Sequence, residues 1–104
     1  MSDLKMAEAD LDVVIRHIAR QQSKTVMSAA KKRRDQYMAR AAKAKDKEAK
    51  ARYRLIAKST MLLGAAAARR LQNAAENAAD SYARAVKKAA EEMPAKKPAK
   101  KKEA

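Results

Sequence analysis

Cysteine, tryptophan and phenylalanine are absent from this chain of 104 residues, which holds one glycine, two prolines and three tyrosines. Without cysteine there is neither a disulfide framework nor a thiolate metal site, a composition suited to a reducing compartment. Because Gly and Pro are scarce, turns must be written in weaker signals, and neither residue occurs between Met1 and Leu63. Few aromatics leave no platform on which successive unpaired bases could stack. Long apolar runs are missing as well. The longest stretch free of charge, Ser59 to Ala68, is about half the ~20 residues needed to cross a bilayer. Met1 to Asp12 is acidic where a signal or transit peptide is basic. The expectation is a soluble cytoplasmic protein.

What the chain does contain is 27 Ala, 16 Lys and 10 Arg, with a formal net charge of +14. Leu, Ile and Val together number 13, too few for a large globular core or a deep pocket for small-molecule chemistry. No enzyme, cofactor or small-molecule substrate is expected. His17 has no second His or Cys to form a ligand set. Asp10 and Asp12, two residues apart, do not share a helix face and suit helix-start electrostatics better than acid-base work. Neither a glycine-rich phosphate loop nor a helix-turn-helix, zinc-ligand or RNP-type motif is present.

The charge is unevenly distributed. Residues 1–30 carry four positive and four negative side chains, 31–58 twelve against three, 59–93 five against four, and 94–104 five against one. Basicity therefore sits in the chain middle and at the C-terminus, which predicts two contact regions for a polyanion. The segment 94–104 has five Lys, two Pro and no large apolar side chain, so nothing offsets the entropy of ordering it, and a disordered tail is expected. Its run Pro94, Ala95, Lys96, Lys97, Pro98, Ala99, Lys100, Lys101, Lys102 resembles the Lys/Ala/Pro tails of linker-histone-like proteins, including bacterial nucleoid proteins and the DNA-binding tail of some phasins. The resemblance implies an electrostatic contact with a polyanion, made through Lys96, Lys97, Lys100, Lys101 and Lys102. It implies nothing about residues 1–93.

Upstream of Pro94, periodicity predicts helix. Small or apolar residues recur at Ala49, Tyr53, Ile56, Thr60, Gly64, Ala67, Leu71, Ala75, Ala78, Tyr82, Val86, Ala89 and Met93. Their steps of three and four make an eleven-residue repeat, the period of a nearly straight seam. Gly64 stays in phase and reads as a site of close helix approach. An earlier stripe, Leu4, Ala7, Leu11, Ile15, Ile18, Gln22, Val26 and Ala29 with Val14 beside it, follows the same steps with larger side chains. Ser2 or Asp3 can cap its start. The phase of this stripe is lost between residues 30 and 48. A break within Lys43 to Glu48, with Asp46 as N-cap of the next helix, predicts an all-α domain over 1–93, an antiparallel hairpin or short bundle that pairs the two seams. The rival is a single helix on the order of 130 Å from about 90 residues. Because the second seam is rich in alanine it buries little area, so a homo-oligomer is expected.

Function is expected from a central basic stripe. At 100° per residue, Arg40, Lys43, Lys47, Lys50, Arg54 and Lys58 fall within one arc that excludes Asp46 and Glu48. Lys32 and Arg33 prolong it in one direction and Arg69 in the other. Like charges spaced three or four apart destabilise a helix unless a polyanion lies alongside. The reading is a nucleoid-associated protein that binds nucleic acid, DNA ahead of RNA, without sequence specificity. The alternatives are a phasin-like or peripheral-membrane helix coating an anionic membrane or granule surface, and a coiled-coil scaffold for an acidic partner. Tyr53 and Tyr82 fall on the seam, which leaves Tyr37 as the aromatic free for stacking.

Overall fold

A computed structural model describes the chain except for residues 1–5, 7, 8 and 104, and describes side chains only as far as Glu92. Two helices, α1 over Leu11–Lys43 and α2 over Lys47–Glu103, form an antiparallel hairpin. The Leu4 and Ala7 positions, the Ser2 and Asp3 caps and the side chains of the expected 94–104 tail lie outside the described residues. The helix start that is described has Asp10 at the N-cap position without a side-chain cap bond, and Asp12 in the first turn.

The break comes within the expected segment. Ala44 leaves the helical region at φ −68°, ψ 139°, and its N–H donates to the carbonyls of Arg40 and Ala41 at 3.0 and 3.3 Å. Two residues later Asp46 starts α2. Its Oδ1 accepts from the Glu48 N–H at 3.3 Å and its carbonyl accepts from the Lys50 N–H at 3.0 Å. An N-cap carboxylate of this kind satisfies one of the orphan donors of the first turn. The turn therefore needs neither Gly nor Pro, and among the described residues no non-glycine φ is positive.

Register follows from contacts that cross the hairpin. Arg16 meets Glu76 and Asp80, Ser23 meets Ala68, Ala30 meets Gly64 and Tyr37 meets Tyr53. As one number rises the other falls, so α1 covers α2 only to about Tyr82. The buried positions are Ala19, Ser23, Ala30 and Ala41 on α1 and Ala57, Ala68 and Ala79 on α2. Ala19, Ala30 and Ala41 are eleven apart, and so are Ala57, Ala68 and Ala79. Eleven residues make three turns in a nearly straight seam. The register sets each of Ala57 and Ala68 opposite the midpoint between two α1 alanines, so methyl groups alternate along the contact.

This seam has the expected period but not the expected phase. On α1 Leu11, Ile18, Gln22 and Ala29 of the stripe are exposed and Ile15 and Val26 partly buried, while the buried positions fall one residue later, at Ala19, Ser23 and Ala30. On α2 the expected Tyr53, Thr60, Gly64, Ala75 and Tyr82 are partly buried, yet Ala57, Ala68 and Ala79 replace Ile56, Ala67 and Ala78 as the fully covered positions. The reason is steric. Helices that approach this closely admit methyls and exclude Leu and Ile, which move to the flanks. From Ala30 the α1 seam continues through the partly buried Arg34 and Tyr37 to the buried Ala41, so it runs on as far as the turn.

Gly64 is a point of close approach: a Cβ built there would lie 2.6 Å from the Ala30 Cβ. Gly64→Ala improves intrinsic helix propensity by about 1 kcal/mol, but the overpacking it forces costs about 1 to 3 kcal/mol. The variant should therefore melt below the parent by circular dichroism, with part of the loss recovered when Ala30→Gly is added. For the turn, Asp46→Ala should cost about 1 kcal/mol of stability in denaturant unfolding.

Candidate nucleic-acid interface

An eleven-residue period assigns every residue a fixed side of the seam. In an antiparallel pair, residues that follow the seam alanine by the same offset lie on the same broad face of both helices. One face thus receives Arg16, Arg20, Lys24 and Lys31 from α1 and Lys47, Lys50, Arg54, Lys58, Arg69, Glu76 and Asp80 from α2. Ion pairs follow this assignment. Arg16 donates to Glu76 at 3.0 Å and to Asp80 at 2.8 Å, and contacts Asp12 at 3.3 Å one turn earlier on its own helix. The Glu76 hydrogen bond, opposed by some desolvation and reinforced by the fields of Glu76, Asp80 and Asp12, raises the Arg16 pKa above its ordinary value.

Acidic and basic residues are separated along the hairpin. Between Arg20 and Arg70 there are sixteen Lys and Arg and three acids, Asp35, Asp46 and Glu48. Residues 9–19 and 71–92, which form the open end, have four Lys and Arg against six Asp and Glu. Within the basic part the one ion pair among the described residues is Arg34 with Asp35, at 3.0 Å. An open hollow over the seam is lined by Lys24 and Lys31 from α1 and Arg69 from α2, around Ser23, Met27 and Gln72. At its floor the buried Ser23 Oγ donates to the Ala68 carbonyl at 3.1 Å, so the hydroxyl under the cations is satisfied.

The central stripe is rearranged by the turn. Arg40 and Lys43 end α1, whereas Lys47, Lys50, Arg54 and Lys58 begin α2 and run back the other way. A single arc through all six required one unbroken helix. Lys47, Lys50, Arg54 and Lys58 stay together on the basic face, and Arg69 extends their line. Lys32 and Lys43 lie at the outer edge of α1. Arg33 and Arg40 turn toward the opposite face, and the Arg40 guanidinium stacks 4.9 Å from the Tyr37 ring centre. The side chains of Lys96, Lys97, Lys100, Lys101 and Lys102 lie outside the described residues. Tyr37 is not free for stacking: its ring packs 6.3 Å from that of Tyr53, beside the turn.

Arg20, Lys24 and Lys31 fall outside the arc of Arg40 to Lys58 when the chain is projected as one helix. They join the line of Lys58 and Arg69 only once the hairpin register is known. Among the described residues, no group of three His, Cys, Asp or Glu is placed to hold a metal ion, and no helix is long and apolar enough to cross a membrane. Comparison with protein-family models, curated proteins and solved structures finds no match for the chain.

The Arg16 cluster links the open ends of α1 and α2. Arg16→Ala should speed amide hydrogen exchange in the first turns of α1 and around Glu76, while leaving protection near Tyr37 and Tyr53 unchanged. Uniform acceleration along the hairpin would contradict a local clasp.

Proposed function

We propose that the protein binds nucleic acid, duplex DNA ahead of RNA, without sequence specificity, through the basic face of the hairpin. The observation that carries this reading is the cluster of cations from two antiparallel helices, nearly all lacking acidic partners, over the half of the molecule next to the turn. Such a cluster is costly in isolation because like charges repel. A polyanion laid along it removes the cost and releases condensed counterions.

Base reading is not part of the proposal. The basic hollow over the seam carries one Gln, Gln72, and no Asn, and both helices are broadside to the face, so no helix is presented end-on to a groove. Contacts from Arg20, Lys24, Lys31, Lys50, Arg54, Lys58 and Arg69 reach phosphates irrespective of sequence. With about six to eight phosphates neutralised, log K should fall against log salt with a slope of roughly −5 to −7. The nucleoid association expected from the sequence belongs to this proposal.

The test is charge reversal in two places. Lys31→Glu combined with Arg54→Glu and Lys58→Glu should lower affinity for mixed-sequence duplex at least tenfold and flatten the salt slope by about three, with helicity retained. Reversal of Arg84, Lys87 and Lys88, which lie beyond the basic half, should cost far less. Equal losses from the two sets would overturn the assignment of the face.

A further inference from the structure

The opposite broad face of the hairpin has a different chemistry. Leu11, Val14 and Ile18 from α1 share it with Ile56, Leu63 and Leu71 from α2, with Ala29, Ala67, Ala74 and Ala78 between them. Leu11 is 48% exposed, Ile18 46%, Leu63 68% and Leu71 36%. Ile18 and Leu71 line one hollow that spans both helices, together with Thr25 and Val26. The seam inside the hairpin is built of alanines, and no large side chain is fully buried among the described residues. The larger apolar groups have thus been left outside a core too thin to hold them.

We infer that this apolar face is the contact surface for a second copy of the chain, laid against it with its turn at the opposite end, to give a four-helix bundle. The size fits. The doubled part of the hairpin is about 50 Å long, from 33 residues at ~1.5 Å each, and roughly 20 Å across, from two helices of about 10 Å each. A footprint on the order of 1,000 Å² per copy exceeds the ~800 Å² per partner of a typical stable interface. The same patch serves both copies, as a two-fold contact requires.

Charge selects the direction. By the same offsets from the seam, Arg33, Arg40 and Arg52 lie on this face toward the turn, whereas the open-end acids Asp12, Glu76 and Asp80 are gathered around Arg16 on the basic face. Copies with their turns together would double the positive field at one end. Copies with their turns apart keep these two sets of arginines at opposite ends of the bundle. An apolar lipid surface would be an alternative occupant, but the sequence has neither Trp nor Phe to anchor the helices in one. In the two-copy bundle both basic faces point outward, on opposite sides.

The test uses the full chain without nucleic acid, so its result is independent of the binding proposal. Sedimentation equilibrium from about 1 to 100 µM should give twice the 11.5 kDa chain mass. Because the sequence has no cysteine, Lys45→Cys places one spin label at the turn, and turn-to-turn distances should be about 50 Å or more. Ile18→Lys with Leu71→Lys should raise the dimer dissociation constant at least tenfold. Leu62→Lys, which alters an equally bare leucine, 63% exposed, on the other side, should leave it unchanged. A chain that stays monomeric at 100 µM, a short turn-to-turn distance, equal effects of the two variants, or retention of the monomer on neutral vesicles at high salt would overturn the inference.

Discussion

Two helix backbones come this close only where nothing larger than a methyl group stands between them. That steric condition sets the rest of the architecture. It selects Ala19, Ala30 and Ala41 to face the gaps between Ala57, Ala68 and Ala79, and it admits Gly64 where a methyl would collide with that of Ala30. It also turns Leu11, Ile18, Leu63 and Leu71 outward, because their volume does not fit the seam. Dispersion between closely packed methyls and backbone is gained at many points, but each contributes little. Such a hairpin is well specified in register and thin in core.

The eleven-residue period has a second consequence. Because three turns return almost to the starting direction, residues at a given offset from the seam stay on one side over the whole overlap. An antiparallel partner with the same period places its own equal offsets on that same side. Arg20, Lys24, Lys31, Lys50, Arg54, Lys58 and Arg69 gather on one face, and Leu11, Ile18, Leu63 and Leu71 on the other, which Arg33 and Arg40 share near the turn. On the proposed reading, one face meets phosphates while the other meets a second copy, and the two activities do not compete for surface. Two outward basic faces in one bundle would allow two duplex segments to be held together.

Much of this was legible in the residues. The helical class, the eleven-residue period after Ala49, the turn between Lys43 and Glu48 with Asp46 as cap, and the role of Gly64 all rest on local rules of spacing and capping. The phase of the seam did not yield, because the largest apolar residues were taken to mark the buried side. In a chain with 27 Ala, the seam is made of the commonest residue and carries no contrast against its surroundings. The spacing of Ala57, Ala68 and Ala79 was the available signal. The basic stripe was half legible: Lys47, Lys50, Arg54 and Lys58 keep their common side, whereas Arg40 and Lys43 depended on a helix that the turn interrupts. Arg20 and Lys24 could be joined to the stripe only through the register between helices, which no local spacing encodes.

The sorting of charge and aliphatic bulk onto opposite faces is tested most directly by following backbone amide resonances during titration with a mixed-sequence duplex. The account predicts shifts at and around Arg20, Lys24, Lys31, Arg54, Lys58 and Arg69, with Leu11, Ile18 and Leu71 unmoved. Shifts spread evenly around both helices, or centred on the aliphatic face, would contradict it.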